Sequence, residues 1–433
     1  MSPLMTALAV VALPGVLLGF VHWVWYPFSV LFEFRQHSPG VLYRGVRVSV
    51  IIPAYNEGVV LHASVASVLD SGYSNLQVIV VNDGSTDNTW EIMQAFAADP
   101  RVVLINKPNG GKGSALNAGI DVADGEVLLF VDADGLFTKT TIPRLLAGFR
   151  HHNVGAVCGN DQPINVTGPL TRLLALMTHV GTGLTRRALA LLGILPIVSG
   201  NSGAFLARVV REVGGFRTDT LGEDLELTWR VQFAGYDVEF APRALVLAEV
   251  PSTLRGLWKQ RVRWQRGLIQ TARIHRHRAL RLPRSRFDWY LPLNLLSMLI
   301  APVLQLIALV LFLAVLATGE LRIESWWAAV LLLGLEVTLG AAVIALLLDR
   351  AWHNLPLLIV LPLWLPLGLF LSAATARAIW AELRGTASTW NKLERTGVRN
   401  RTAKEEPLDF EVGIEPPPQS GVNAPTPPLT VAR

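Results

Sequence analysis

Two aspartates, Asp132 and Asp134, flank a single residue directly after the apolar run 127–131 (VLLFV). In extended backbone, residues two apart point to the same side. These carboxylates would then share a face and repel one another unless a cation lay between them. A hard divalent ion takes carboxylate oxygens and fills the rest of its shell with substrate phosphates. The plain alternative is an Asp-rich turn that caps the next helix. The Asp-x-Asp pattern alone does not choose between the two.

Asp83 leaves the run 78–81 (VIVV) within Asn82-Asp83-Gly84-Ser85-Thr86-Asp87. Asp87 reads as the N-cap of the following helix, and Asp83, straight off the strand, is the one placed to touch a ligand. Lys112 stands in Gly110-Gly111-Lys112-Gly113. Glycines before a helix suit an anion at its N-terminus. The spacing is not that of a P-loop, and no Gly-x-Gly-x-x-Gly follows a strand, which argues against a nicotinamide enzyme.

Four short β-branched runs must position these residues: 48–52 (VSVII), 78–81, 102–105 (VVLI) and 127–131. Each ends in turn chemistry and is followed by a helix-like stretch. Strands apolar on both faces that alternate with helices predict an α/β domain with a mainly parallel sheet. In such sheets the ligand lies beyond the carboxyl ends of the strands, and all four polar clusters fall there.

The chain has 433 residues, of which 51% are hydrophobic and 16% charged. A soluble domain carries about 25% charge, so part of the chain belongs in a membrane. Cys158 is the one cysteine, which excludes a disulfide framework and any multi-cysteine metal site. No Lys, Arg, Asp or Glu occurs in the first 32 residues. The stretch 5–31 is long enough to span a bilayer, with Trp23, Trp25 and Tyr26 at its end as an aromatic belt. A basic start and a small-residue cleavage site, the marks of a signal peptide, are not evident, and the segment reads as a retained anchor. Three later apolar segments, 290–318, 325–348 and 351–376, read as transmembrane helices. Glu336 lies inside the second; it is a residue for a polymer exit route, for a structural pairing or for a segment boundary. The third carries Pro356, Pro362 and Pro366.

The polar stretch between the anchor and these segments holds most of the Lys and Arg, which puts it in the cytoplasm. Four crossings would leave the C-terminal tail outside, yet Arg377, Arg384, Lys392, Arg395, Arg399 and Arg401 argue for inside. A re-entrant proline segment would resolve the conflict. From Val250 to Phe287 there is no acid against eleven Lys and Arg, with Trp258 and Trp264 interleaved. No groove-reading motif accompanies this charge, so nucleic acid is not the expected partner. An amphipathic helix on anionic lipid is. His151, His152 and His179 show no ligand spacing and read as ordinary loop or surface residues.

The segments VSVIIPAYNE (48–57), VVNDGSTDNT (80–89), NGGKGSALNAG (109–119), LLFVDADG (128–135), GEDLELTWRV (222–231) and QRVRW (260–264) together resemble the inverting, membrane-embedded family 2 glycosyltransferases. That family has a nucleotide-sugar-binding, glycosyltransferase A-type domain. The flanking apolar segments resemble its processive synthases. Ser199-Gly200-Asn201-Ser202-Gly203 and the 258–264 segment are similar to the poly-N-acetylglucosamine group. The resemblance implies five regions: anchor 1–34, cytoplasmic glycosyltransferase domain 35–249, basic interface segment 250–288, transmembrane segments 289–384, and a basic then disordered tail 385–433. The plasma membrane, inner in a two-membrane cell, is the implied location.

Residue by residue, the resemblance gives the nucleotide base to Ala54, Tyr55 and Glu57, and a uracil contact to Asp83. It gives the diphosphate and its Mg2+ or Mn2+ to Asp132 and Asp134, and the catalytic base to Asp224. The processive motif falls on Gln260, Arg263 and Trp264. An acceptor hydroxyl must lose a proton as it attacks, which a carboxylate accepts, and the leaving diphosphate needs cations. Glu223 and Asp224 open a helix near 224–234, where neighbours point about 100° apart, so they are given different tasks. The plain reading of both is charge compensation at a helix N-terminus. Trp264 is a candidate to stack on an acceptor sugar or to anchor in lipid. Asn201 or Ser202 is expected to meet an N-acetyl group.

The expected activity is polymerisation of a β-linked polysaccharide from a UDP-sugar, UDP-N-acetylglucosamine first, with the growing chain as acceptor and its export aided. A small membrane partner subunit would supply any cyclic-dinucleotide control. The alternatives are a single transfer to a lipid acceptor and a cellulose-like glucan synthase. A transporter or receptor with a dead nucleotide-binding domain is disfavoured by the intact Asp83, Asp132, Asp134 and Asp224.

Overall fold

The computed structural model describes residues 2–35, 45–279, 283–319, 338–386 and 397. Glu336, the start of the 325–348 segment, Lys392, Arg395, Arg399, Arg401 and the tail lie outside the described residues.

Eight strands form one sheet: β1 (Val48–Ala54), β2 (Leu76–Asp83), β3 (Val102–Lys107), β4 (Val127–Phe130), β5 (Leu136–Phe137), β6 (Val154–Pro163), β7 (Gly203–Leu206) and β8 (Asp237–Ala248). Their order is β3-β2-β1-β4-β7-β6-β8-β5. The β3-β2-β1-β4 half is parallel, as the alternation predicts. Every residue of β1, β2 and β4 is buried, because helices cover both faces of a parallel sheet. Beyond β4 the sheet turns mixed: β7 is antiparallel to β4 and β6, β8 is parallel to β6, and β5 is antiparallel to β8.

The helix Lys112–Val122 lies close on the sheet at Gly119, where an added Cβ would fall 2.5 Å from the Ile51 side chain. That close approach seats the helix on β1.

Two described helices are long and apolar enough to cross a membrane, Arg286–Ala317 and Trp352–Leu383. The first contains a π turn at Leu296–Ile300. The second begins as a 3-10 run, Trp352–Leu363, containing Pro356 and Pro362, residues that lack the N–H an α-helix would use. Its α-helical part is Trp364–Leu383. The N-terminal helix Pro3–Phe34 is continuous over 32 residues and packs on Ala301–Ala317 and on Arg186–Leu191. The basic segment forms the helix Leu254–Ile274, capped by the Thr253 hydroxyl, which accepts from Gly256 N. It runs along Trp364–Leu383, with the Trp258 and Phe370 rings 5.3 Å apart edge to face.

A buried ionic cluster ties these parts to the sheet domain. Arg187, 1% exposed, donates Nε to Glu33 (2.7 Å), Nη1 to Asp349 (2.7 Å) and to Gly183 O (2.7 Å), and Nη2 to Leu348 O (3.1 Å). His179 belongs to it as well. Its Nδ1 is 2.6 Å from Asp349 and its Nε2 is 3.2 Å from the Asn354 amide. The reading of His179 as a loop or surface residue is therefore corrected: it is buried, and its partners lie far away in sequence, where no local spacing reveals them. His151 and His152 are exposed, as expected.

Candidate active site

The carboxyl ends of β1 and β2 are joined by side chains. Asn56, in the left-handed region at φ 55°, donates its N–H to the Ser85 hydroxyl (2.9 Å) and accepts the Thr86 N–H at Oδ1 (2.7 Å). Glu57 donates its N–H to Thr89 Oγ1 (2.8 Å). Ala54 and Glu57 are buried and Tyr55 half-buried at this edge.

Asp83 is 1% exposed. One carboxylate oxygen accepts from Lys107 Nζ (2.5 Å) and Gly110 N (3.0 Å), the other from Gly111 N (2.8 Å). Its oxygens thus hold the loop that leads into the helix Lys112–Val122. Gly111, at φ 84°, takes a backbone conformation that side chains resist, and this aims Lys112 across the edge.

The Asp132–Asp134 motif departs from the expected geometry. β4 ends at Phe130, and residues 132–135 form a turn closed by Gly135 N donating to Asp132 O at 2.8 Å. Strand alternation therefore does not apply, and the two carboxylates do not share a face on that account. Asp132 meets Lys112 Nζ at 2.6 Å. Asp134 is buried and lines a small cavity with Val59, Ala63, Ile164 and Glu249. Asn201 Oδ1 accepts Asp132 N at 3.3 Å, so Asn201 supports this turn. Ser202, 1% exposed, is buried beside it.

Glu223 and Asp224 open the helix Glu223–Phe233. Lys112 Nζ is 3.2 Å from Glu223 Oε1. Asp224 Oδ2 accepts Gly200 N (3.2 Å) and Oδ1 accepts Leu225 N (2.7 Å). Burial works against the Lys112 charge, but Asp132, Glu223 and Asp224 outweigh it and raise its pKa. Burial pushes the Glu223 carboxyl up; Lys112 pulls it back, Asp224 adds to the rise, and Arg263 opposes it. Arg263 thus acts on the site from the helix Leu254–Ile274, and Gln260, one turn earlier, shares its face.

Trp264 is not brought into this cluster. It is 46% exposed, and the Arg261 guanidinium lies over its ring at 4.5 Å. Burial lowers the Arg261 pKa to about 10.

Sequence reasoning missed two further groups. Beneath the 199–203 loop, Arg186 Nη1 donates to Cys158 Sγ (3.1 Å) and to Asp161 (3.5 Å), and Asp224 reinforces the Arg186 charge. Gln270 accepts Leu221 N at 2.8 Å, just before the two acids. Neither group sits in a motif.

Among the described residues no three or more His, Cys, Asp or Glu gather to hold a metal. The set nonetheless fits a divalent cation. A cationic ammonium already stands against Asp132 and Glu223, and Mg2+ is commonly held by one or two carboxylates with substrate phosphates completing its shell.

Residues 49–214 match glycosyl transferase family 2. The segment from β1 through β7 is thus similar to that family's domain. Asp224 and the 260–264 motif follow the matched segment. The poly-beta-1,6-N-acetyl-D-glucosamine synthase of Staphylococcus epidermidis is 32% identical over 222 residues, 51% of this chain and 54% of that protein. The same-named protein of Staphylococcus aureus strain COL is 31% identical over the same length. The match thus spans about half the length of these curated relatives. A solved structure, a mannosyltransferase from Pyrobaculum calidifontis in complex with GDP-Man and Mn2+, aligns with a TM-score of 0.64 at 24% identity, over 88% of this chain and 99% of that one. The likeness establishes the glycosyltransferase A-type fold of the family 2 domain.

Proposed function

We propose that this protein is a membrane-embedded inverting glycosyltransferase that polymerises a β-linked polysaccharide from UDP-N-acetylglucosamine. The observation that carries this reading is the meeting of Lys112, Asp132, Glu223 and Asp224 at the carboxyl edge of a family 2 domain. The choice of donor is supported by the similarity to the two poly-beta-1,6-N-acetyl-D-glucosamine synthases.

In this reading Asp224 takes the proton of the acceptor hydroxyl as its oxygen attacks the anomeric carbon. The bond from that carbon to the diphosphate breaks on the opposite face, so the configuration inverts. Asp224 reaches the reaction from a fixed place, because Gly200 N–H holds one of its oxygens. Lys112 and Arg263 offset the charge of the departing diphosphate. Asp132 and Asp134 would hold Mg2+ or Mn2+, which supplies further charge neutralisation when bound. Ala54, Tyr55 and Glu57 line the end of the edge that takes the base. Asp83 supports that end through the 110–111 loop. Asn201 serves the diphosphate turn, with Ser202 behind it. Gln260, Arg263 and Trp264 meet the growing chain along the helix Leu254–Ile274. The apolar helices seat the enzyme in the plasma membrane, sheet domain in the cytoplasm, and the polymer leaves along them.

Purified protein is offered labelled UDP-N-acetylglucosamine and UDP-glucose separately. Polymer from the first is expected, and none in excess EDTA. Polymer from glucose alone would move the protein to the glucan synthases. One sugar on a lipid, with no polymer, would replace polymerisation by single transfer.

A further inference from the structure

The helix Leu254–Ile274, with the His275 that caps it, grips the start of the catalytic helix at three points. Gly267 stacks on Gly222, where a Cβ on Gly267 would fall 2.8 Å from Gly222 N. His275 Nε2 meets Glu226, itself fully buried, at 3.0 Å. Gln270 Oε1 accepts Leu221 N at 2.8 Å. The amide of Gln270 also faces the other way: its Nε2 donates to Glu382 Oε1 at 2.9 Å. Glu382, on the last apolar helix, is further held by Arg266 at 2.7 Å and Arg273 at 3.5 Å. Gln270 is thus bonded both to the catalytic turn and to that helix.

We propose that Gln270 is a positioning residue, fixing the 220–224 turn against Glu382 so that Asp224 keeps its reach to the acceptor. This rests on Asp224 being the base. A primary amide is suited to the task because it accepts and donates at once. A carboxylate in place of the Gln270 amide would still accept Leu221 N–H but would be set against the carboxylate of Glu382. Exchanging the two side chains restores the pairing: the carboxylate then accepts from Leu221 on one side and from the amide on the last apolar helix on the other. Position 270 also lies four residues after Arg266 and three before Arg273, so a carboxylate there is within reach of both on one helix.

The test uses the full chain in lipid nanodiscs, with Gln270→Ala, Gln270→Glu, Glu382→Gln and the combination of the last two. Two quantities are read: hydrogen exchange of the Leu221 amide without nucleotide, and kcat and KM for UDP-N-acetylglucosamine. In Gln270→Ala the Leu221 amide should exchange at least roughly tenfold faster. Its kcat should fall about 10- to 100-fold, the scale of a small misplacement of a catalytic group, with KM nearly unchanged. Gln270→Glu should lose as much, and the combined variant should recover to within about threefold of the native kcat. Unchanged Leu221 exchange in Gln270→Ala overturns the proposal. So does a combined variant that regains thermal stability but not kcat. If the native protein transfers no sugar at all, the glycosyltransferase reading falls, while the Leu221 exchange rates still decide whether Gln270 holds the turn.

Discussion

The charge cluster at Arg187 and the one at Lys112 are both largely buried, yet they are built on opposite terms. Arg187 uses its guanidinium on two carboxylates and two carbonyls, and Asp349 is shared with His179. Donors and acceptors are matched there, and such a network holds parts together. Around Lys112 one ammonium answers three carboxylates, Asp132, Glu223 and Asp224, with Arg263 acting on Glu223 and Arg186, itself paired with a fourth acid, Asp161, acting on Asp224. The negative excess suits a ligand that arrives with its own cation. The contrast teaches that balance, rather than burial, separates the brace from the site.

The largest expected effect breaks the balanced side. Asp349→Ala takes from buried Arg187 one of its two carboxylate partners and from His179 the partner of its Nδ1, and should cost about 3 kcal/mol of stability. Denaturation in detergent checks it, and activity per folded molecule at low temperature should be retained.

On the unbalanced side the outcome reverses. Asp224→Asn preserves size and hydrogen bonding while removing the base, so turnover should fall by roughly 10² or more with stability and donor affinity kept. Loss of affinity with surviving turnover at saturation would make Asp224 a binding residue.

A subtler test concerns Glu223. Its pKa in the folded protein lies above its ordinary 4.5, chiefly through burial. Across the interval from that ordinary value up to the raised one, the folded state keeps a proton that the unfolded chain has released. This contribution to stability is therefore lost as pH rises. Unfolding midpoints measured against pH should decline less steeply in Glu223→Gln than in the native protein.

The smallest effect lies outside both clusters. Arg47 pairs with Asp124 at 2.9 Å, both side chains largely exposed, so Arg47→Ala should cost no more than about 1 kcal/mol, measured by the same denaturation.

The parallel half of the fold was legible because its strands are continuous β-branched runs that end in turn residues, and β1 to β4 begin and end within about two residues of the runs read. The mixed half was not. β6 carries Asn160, Asp161 and Gln162 within the strand, and β5 is two residues long, so neither offers a periodic signal. The motif residues Lys112, Asp132, Glu223 and Asp224 lie together at the carboxyl edge, a meeting of segments far apart in sequence that no single motif announces. The orientation of Asp132 and Asp134 could not be read, because it depends on where β4 stops: Val131 N–H bonds Ile51 O, and the chain then turns. His179, Arg187 and Gln270 were invisible for a common reason. Each takes its meaning from partners roughly 50 to 175 residues away.

β5 has a consequence for the order in which the molecule can be made. Leu136-Phe137 follows the Asp132–Asp134 turn and pairs with Val246 and Leu247, about 110 residues later. At roughly 5–20 residues per second, the ribosome needs about 5–20 s to deliver that partner. Until then the downstream end of the turn has no strand to close on, and Glu223 and Asp224 emerge only near the end of the same interval. The nascent chain therefore passes its first apolar helix and four parallel strands to the folding machinery well before it holds a complete reaction centre, and a ribosome stalled before residue 237 carries a sheet without a working edge.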